Sequence, residues 1–373
     1  MRICIIAHNA YGAMTGEKSG HIGGVERQTS LLATWLMRRG HSVSVITWGN
    51  DNPDDELHSG IKIIKLCRAE EGFPVVRFAY PRSYSLLSAL MRANADLYFH
   101  NCAEDITGII ALFCKIRKRP FIYSVASDID CLASIPTLDW HERVLYKYGI
   151  RNASAIFTQT KHQKKLLSAN FLLESTRIPM PATPKKTLLG INTEERRQIK
   201  KVIFVGRIHP IKRINIFLEL AQRCKEYVFE VIGPFDMEPS EIEKILEQIE
   251  KLPNLEYLGR VDVTQMHNVY IQSSLLCCTS EYEGFPNTFL EAWGYGIPVI
   301  STFDPDNLIV KEELGVSAST LDELEAGIRT VLHSPDKYRA LSENAITYVE
   351  KNHNGEKIYE HMEKEFLRLN KSY

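Results

Sequence analysis

Nothing in this sequence calls for an oxidising compartment. Its eight cysteines (Cys4, Cys67, Cys102, Cys114, Cys131, Cys224, Cys277 and Cys278) are scattered and form no C-x-x-C pair. Most sit in apolar runs, where a thiol behaves as a small hydrophobe. A disulfide framework and a zinc site are therefore not expected, and a reducing cytosol is. No apolar run approaches the ~20 residues of a membrane helix. The first, Ile3 to Ala7, ends at His8-Asn9 without a small-residue cleavage pattern, so no secretory signal is expected. An excess of one charge is also missing. Lys and Arg number 45 against 46 Asp and Glu, a net charge of −1. That removes the overall basic field a nucleic-acid partner would call for. There is no low-complexity stretch and no G-x-G-x-x-G, which makes a nicotinamide-dependent oxidoreductase a poor reading.

What is present is an ordinary globular composition over 373 residues, 44% hydrophobic and 24% charged. That length exceeds one ordinary α/β domain and suits two. Arg2 to Ala7 reads as a buried strand, Val25 to Arg39 as an amphipathic helix ended by Gly40, and His41 to Trp48 as a β-branched strand. This is a βαβ unit, and the alternation continues through strand candidates at 61–66, 96–99, 121–125 and 155–158. Between Ile178 and Lys200 the pattern breaks, with three prolines and then the charged run Glu194 to Lys201. Past it the alternation restarts, with strands at 202–205, 228–232, 255–258, 275–278 and 299–301. The expected fold is α/β, with two Rossmann-like doubly wound parallel-sheet domains facing across a cleft. The expected bounds are residues 1–185, joined by a C-terminal helix at 355–373, and residues 198–354.

Ligands of open parallel sheets bind at the carboxyl ends of strands, and three clusters fall there. Gly23 and Gly24 lie between the first strand and its helix, where glycines admit close backbone approach and positive φ. The helix start behind them suits a phosphate, although such pairs are also common turns. Gly206, Arg207 and Lys212 follow the first strand of the second domain. Two fixed cations there would stabilise the negative charge growing on a diphosphate leaving group. The bland alternative is a solvated basic turn. The third cluster runs from Glu281 to Ile300. Glu283 and Glu291 stand eight apart, and Gly284, Phe285, Pro286, Asn287 and Thr288 form a loop leading into a helix expected from Thr288. Its amides suit phosphate or sugar hydroxyls, and the carboxylates suit hydroxyls of ribose and sugar.

The phrase E-G-F-P-N-x-x-x-E-A-x-x-x-G-x-P-V-I resembles the signature of the retaining glycosyltransferases of family 4, also called group 1, which have the GT-B fold. The segment around Arg207 and Lys212 is similar to that family's G-R-x-x-x-x-K, and Gly23-Gly24 to its glycine loop. The resemblance runs the length of the chain with its three motifs in order. It implies an enzyme moving a sugar from a nucleotide-diphosphate sugar to a glycan or lipid-linked acceptor, as in polysaccharide biosynthesis. Glu283, Arg207 and Lys212 would be catalytic. Gly23, Gly24, Gly206, Gly284, Phe285, Pro286, Asn287, Thr288 and Glu291 would bind the donor. No metal and no cofactor would be needed, and the leaving phosphate oxygen would assist deprotonation of the acceptor. Apart from the resemblance, the cysteines point to the cytoplasm, and the basic residues Arg38, Arg39, Lys115, Arg117 and Lys118 suit peripheral association with the inner face of a membrane, although such runs are usually solvated faces.

Two positions depart from the family pattern. Where relatives carry a histidine after the strand at 121–125, this chain has Ala126, followed by Ser127 and Asp128. Ser127, Asp128, Asp130 or His100 are the candidate acceptor-side residues in its place. Arg213 stands where relatives have glycine, and reads as one more cation without consequence. Asp128-Ile129-Asp130 spells a D-x-D triplet that binds metal in another glycosyltransferase class, but that class has one domain of different order, and the match reads as coincidence. Two rivals remain open: a GT-B-fold nucleotide-sugar epimerase, and a non-catalytic nucleotide-sugar-binding or partner subunit, supported by the missing histidine. The donor base, the acceptor and the oligomeric state are not written in the sequence.

Overall fold

A computed structural model describes residues 1–17, 23–50, 54–73, 78–136, 138–182, 192–262 and 264–373. The chain divides into two compact units, Met1–Pro179 with Glu356–Tyr373, and Met180–Gly355. This boundary lies ahead of the linker expected between 185 and 198.

Unit 1 begins with β1 (Arg2–Ile6), α1 (Tyr11–Thr15), α2 (Gly24–Arg38), β2 (Ser42–Thr47), β3 (Glu56–His58) and β4 (Ile61–Lys65). It continues through α3 (Tyr84–Ala93), β5 (Leu97–Asn101), α4 (Ile106–Arg117), β6 (Phe121–Ser124), α5 (Trp140–Arg151), β7 (Ala155–Thr158), α6 (Lys161–Phe171) and β8 (Thr176–Arg177). The strands form one sheet in the order β3-β4-β2-β1-β5-β6-β7-β8, parallel except for β3. Alternation along the strands separates two cores. Cys4 and Ile6 face a cluster with Leu86 and Leu90 of α3, Ile110 and Cys114 of α4, and Tyr146 and Ile150 of α5. Ile3 and Ile5 face the other side, with Leu32 and Leu36 of α2.

Unit 2 runs through α7 (Thr193–Ile199), β9 (Lys201–Val205), α8 (Ile214–Arg223), β10 (Val228–Ile232), α9 (Pro239–Glu250), β11 (Leu255–Gly259) and α10 (Met266–Ile271). Then come β12 (Leu275–Cys278), α11 (Asn287–Gly294), β13 (Val299–Ser301), α12 (Leu308–Lys311), β14 (Gly315–Ser317), α13 (Leu321–His333) and α14 (Pro335–Asn352). Its sheet is parallel throughout, in the order β11-β10-β9-β12-β13-β14. Trp293 of α11 is fully buried against Phe289, with its indole N–H donating to the Leu314 carbonyl at 3.1 Å. Burial of so large a ring needs that partner for its one polar atom.

The charged run at 194–201 is not linker. It is largely α7, whose Arg196 and Arg197 are buried and donate to the carbonyls of Tyr295 and Leu332. Those carbonyls lie at the ends of α11 and α13, where helices leave acceptors unsatisfied. After α14 the chain returns to unit 1 as α15 (Gly355–Lys371), which covers the β1-Ile3 side of the sheet with Ile358, Tyr359, Met362 and Phe366. Glu363 of α15 takes Arg39 and His41 at 3.1 and 2.8 Å. No described helix is long and apolar enough to cross a membrane, and all eight cysteines are unbridged.

Candidate active site

Strand order locates the sites before any side chain is considered. In unit 2, β9 leads outward through β10 to β11, while β12 leads the other way through β13 to β14. The crevice of such a sheet opens between β9 and β12 at their carboxyl ends. The loops there are the ones that carry Arg207, Lys212 and Glu283.

The loop after β9 is pinned by its neighbours. The Gly206 amide donates to Ile232 at 2.9 Å and Ile208 to Pro234 at 2.8 Å, so the chains beyond β9 and β10 run together. Gly233 makes this possible. It has φ +140°, and a Cβ on it would lie 1.9 Å from the Gly206 carbonyl oxygen, a contact no side chain can make. Sequence reading missed Gly233, which belongs to no motif. Arg207 leaves this loop and pairs with Asp236 at 3.0 Å, half-exposed.

Lys212 ends a single 3₁₀ turn, Pro210–Lys212, and its ammonium contacts Oε1 of Glu283 from the loop after β12. Ser280 donates to the same oxygen at 2.6 Å. Residues 71 apart in sequence thus meet at the switch point, one a cation for phosphate oxygens, the other an acceptor for hydroxyls. Arg213 holds the arrangement. It donates to the Thr279 carbonyl at 2.7 Å, the Ser280 carbonyl at 3.2 Å and the Thr302 hydroxyl at 2.8 Å. One guanidinium thereby ties the loops after β9, β12 and β13. Its backbone is left-handed at φ +47°, which suits a glycine and leaves Arg213 strained. The side-chain network offsets that strain, so the expectation that this arginine has no consequence is corrected.

The glycine-proline loop then feeds α11, which starts at Asn287 rather than Thr288. Gly284 and Pro286 are buried; Asn287 and Thr288 are half-buried in its first turn. The Phe285 ring turns into the core, 4.9 Å from His353 and 6.3 Å from Trp293, which leaves its backbone for any ligand. Glu291 accepts from the Tyr270 hydroxyl at 2.6 Å, and Tyr270 stacks on Tyr295. Neither tyrosine was visible as a site neighbour from spacing.

Unit 1 has its own switch point, between β1 and β5. His100, at the end of β5, is 1% exposed, and its Nδ1 lies 3.1 Å from the Ile6 carbonyl. A carbonyl only accepts, so Nδ1 carries the proton and Nε2 a lone pair in the neutral ring. Burial lowers the His100 pKa, against the pull of Glu104. Glu104 Oε2 stands 3.8 Å from that Nε2 and 3.1 Å from Nδ1 of His8, which follows β1 and stacks on Trp48. Burial disfavours the Glu104 charge, yet His8 and His100 hold its pKa near about 2. His100 Nε2 and the half-buried Asn101 Oδ1 have no hydrogen-bond partner among the described residues. His100 Nε2 and the Glu104 carboxylate stand together here as two acceptors, and they suit a ligand that donates: a hydroxyl. His8 and Glu104 were missed because each is an ordinary residue until strand order brings it beside His100.

The remaining acceptor-side candidates do local work. Asp130 is buried, accepting from the amides of Ala126 and Ser127 at 2.8 and 3.1 Å, and its pKa is pushed up to about 6 by that burial. Ser127 returns the favour by capping the short turn. Both carboxylate and hydroxyl are thus engaged in shaping the loop rather than turned to a ligand. Asp128 lies 3.9 Å from His162 of α6, a histidine that approaches the Ala126 loop from elsewhere in the chain. Gly23 caps α2 with φ −94°, so the positive φ expected there is not used; Gly24 is exposed in the first turn. The residues just before, 18–22, lie outside the described ones. Among the described residues, Asp139, His141 and Glu142 could share an ion, but Asp139 and Glu142 already form the capping box of α5.

Comparison with known proteins bears on the family and the fold. Residues 191–348 match the glycosyl transferases group 1 family, and residues 23–180 a glycosyl transferase 4-like domain. The chain is 25% identical over 292 residues to the amylovoran biosynthesis glycosyltransferase AmsD of Erwinia amylovora, across 75% of this chain and 77% of the relative. Among solved structures, sucrose-phosphate synthase from Thermosynechococcus elongatus superposes with a TM-score of 0.82 at 19% identity, covering 100% of this chain and 99% of that one. Anabaena HepE in complex with UDP-glucose gives 0.74 at 17% identity, covering 98% and 99%. The chain therefore belongs to the group 1 glycosyltransferases of family 4 and has the GT-B fold.

Proposed function

We propose that this enzyme moves a sugar, with retention at the anomeric carbon and without a metal, from a nucleotide-diphosphate sugar to a hydroxyl of a glycan or lipid-linked acceptor. The observation that carries the reading is the Lys212–Glu283 pair at the switch point of unit 2. Lys212 and Arg207 would take the diphosphate, whose charge grows as the bond from the anomeric carbon to its oxygen breaks. Lys212 then trades Glu283 for phosphate, and Ser280 keeps Glu283 placed for a sugar hydroxyl. Glu291, held by Tyr270, would take the ribose. Gly206 and the start of α11 would add backbone amides. The acceptor oxygen bonds to the anomeric carbon on the face the phosphate leaves, and its proton passes to the leaving phosphate oxygen. His100 and Glu104 of unit 1 would receive acceptor hydroxyls. HepE with UDP-glucose makes UDP the first nucleotide to try, and AmsD supports a polysaccharide acceptor. Eight unbridged cysteines favour the cytoplasmic side, at the membrane face where the acceptor is lipid-linked.

Calorimetric titration with UDP, GDP, ADP and dTDP tests this directly. One nucleotide should bind selectively with a chelator present, and Lys212→Ala should weaken it by ~10–100-fold, the scale of a charge-assisted contact. Equal affinity in the variant, or binding only with added Mn²⁺ or Mg²⁺, removes the diphosphate assignment or its metal independence respectively.

A further inference from the structure

Glu283 uses its two carboxylate oxygens unequally. Oε1 takes both the Lys212 ammonium and the Ser280 hydroxyl, while Oε2 has no hydrogen-bond partner among the described residues. The direction of Oε2 is therefore set by what holds Oε1. Of the two holders, Lys212 is the one that turns to the diphosphate in the proposed transfer. Ser280 is then the remaining hold, and the aim of Glu283 depends on where the Ser280 hydroxyl stands.

Ser280 is buried, and its backbone is fixed on both sides of its Cα. On one side the Thr279 carbonyl accepts from Nε of Arg213 at 2.7 Å. On the other, the peptide joining Ser280 to Glu281 is held at both ends. Its carbonyl accepts from Nη2 of Arg213 at 3.2 Å and from the Thr302 hydroxyl at 2.9 Å, which uses both lone pairs. Its N–H donates to the Ile211 carbonyl at 2.9 Å. Nη2 of Arg213 also donates to Thr302 Oγ1 at 2.8 Å, so the proton of that hydroxyl is left for Ser280. Only χ1 of Ser280 remains, and it is bracketed too. The Cys278 thiol donates to its Oγ at 3.4 Å, and Oγ donates to Glu283. Burial pushes the Cys278 thiol up, so it keeps the proton it donates. A relay thus runs from Arg213 and Thr302 through Ser280 to Glu283. Thr302 follows β13, beyond the phrase that carries Glu283, and Arg213 keeps a large side chain on a left-handed backbone. The main chain of Lys212 is held separately, by the Thr279 hydroxyl at 2.6 Å.

We propose that Arg213 and Thr302 are positioning residues for the donor sugar: acting through Ser280, they aim Oε2 of Glu283 at a sugar hydroxyl and leave the diphosphate to Lys212 and Arg207. The proposal rests on the reading of Glu283 as the sugar's acceptor. Calorimetry on the full chain tests it with two probes, the diphosphate that the wild type selects from UDP, GDP, ADP and dTDP, and the glucose ester of that diphosphate. The ratio of the two dissociation constants reads the sugar by itself. Glu283→Ala should shift this ratio against the sugar ester by ~10-fold or more, the scale of a hydrogen bond to a charged group. Ser280→Ala and Thr302→Val, each close to its parent in shape, should shift it the same way by about 5-fold, the scale of one neutral hydrogen bond. Affinity for the diphosphate alone should stay within ~3-fold of wild type in both, less than the loss of one such bond. Arg213→Gly should match them, and the other two variants carry the test if it unfolds. Tyr257→Phe is the control, since it also removes a hydroxyl from a loop carbonyl at this end of the sheet, that of Gly233 at 3.1 Å. It should leave the ratio unchanged, whatever it does to the unfolding midpoint. If no diphosphate binds, or if Glu283→Ala leaves the ratio unmoved, the reading of the donor site falls and the relay with it. If Glu283→Ala moves the ratio, the relay alone is overturned by any of three results. Ser280→Ala and Thr302→Val could leave the ratio at the wild-type value, they could weaken both probes equally, or Tyr257→Phe could shift the ratio as far as they do.

Discussion

Single residues of unit 1 set opposite responses to acid. Asp130 has its pKa raised by burial from 3.8 to about 6. Between those values the folded chain holds a proton the unfolded chain has released, so this group's contribution to stability falls as pH rises from about 4 to about 6. Glu104 works the other way. Burial opposes its charge, but His8 and His100 bring it from 4.5 down to about 2. Its contribution is complete above about 4.5 and is lost as pH falls towards about 2. Urea unfolding across this range should show the two apart. Asp130→Asn, whose amide oxygen can still accept from Ala126 and Ser127, should flatten the change between about pH 4 and 6. Glu104→Gln should flatten the change below about 4.5 and leave the upper window alone. In unit 2, Arg213→Gly relieves a left-handed backbone but removes three hydrogen bonds from a guanidinium. A gain of about 1 kcal/mol set against charged hydrogen bonds at roughly 1.5 kcal/mol or more each leaves a net loss of about 2–4 kcal/mol. An unfolding midpoint equal to or above wild type would show that strain dominates.

At the scale of elements, helices α4 and α5 touch backbone to backbone. A Cβ on Gly108 would lie 2.5 Å from the Leu145 carbonyl oxygen, and one on Gly149 2.6 Å from the Thr107 backbone. Gly108→Ala raises helix propensity by ~1 kcal/mol, yet forcing the helices apart should cost about 1–3 kcal/mol, so denaturant unfolding should report a net loss. Elements also show what could be read beforehand. β7, β10, β12 and β13 were legible to the residue because each is a short, largely apolar run set between helical patterns. α7 was not, since buried arginines look like a solvated run until the carbonyls they serve are known. The donor loops were legible because Gly206, Arg207, Lys212 and the Glu283–Glu291 phrase are local. His8 and Glu104 were not, because only the order β1-β5 brings them together. Gly233 was not, because its reason is a carbonyl on another loop.

At the scale of the whole molecule, unit 1 is discontinuous. The chain leaves it at Pro179 and re-enters at Glu356. α15 brings Ile358, Tyr359, Met362, Phe366 and Leu369 to the sheet, with Phe366 stacked on Phe157 at 6.3 Å and 5.8 Å from Phe99. At roughly 1.5–3 kcal/mol for each buried apolar side chain, five of them match the 5–15 kcal/mol that a domain typically has. A chain ending at Asn354 should therefore bind a hydrophobic dye or aggregate. A monomeric truncated chain with wild-type near-ultraviolet dichroism would contradict that role for α15. The order of synthesis follows from the same helix. Unit 1 emerges first but is completed only by α15, so the part of the sheet that α15 covers waits open on the ribosome while unit 2 is made. Between those two moments Phe99, Phe157 and Ile122 are exposed to whatever the cell offers. For this enzyme, then, a delay in translation between unit 2 and α15 is a threat to the half made before both.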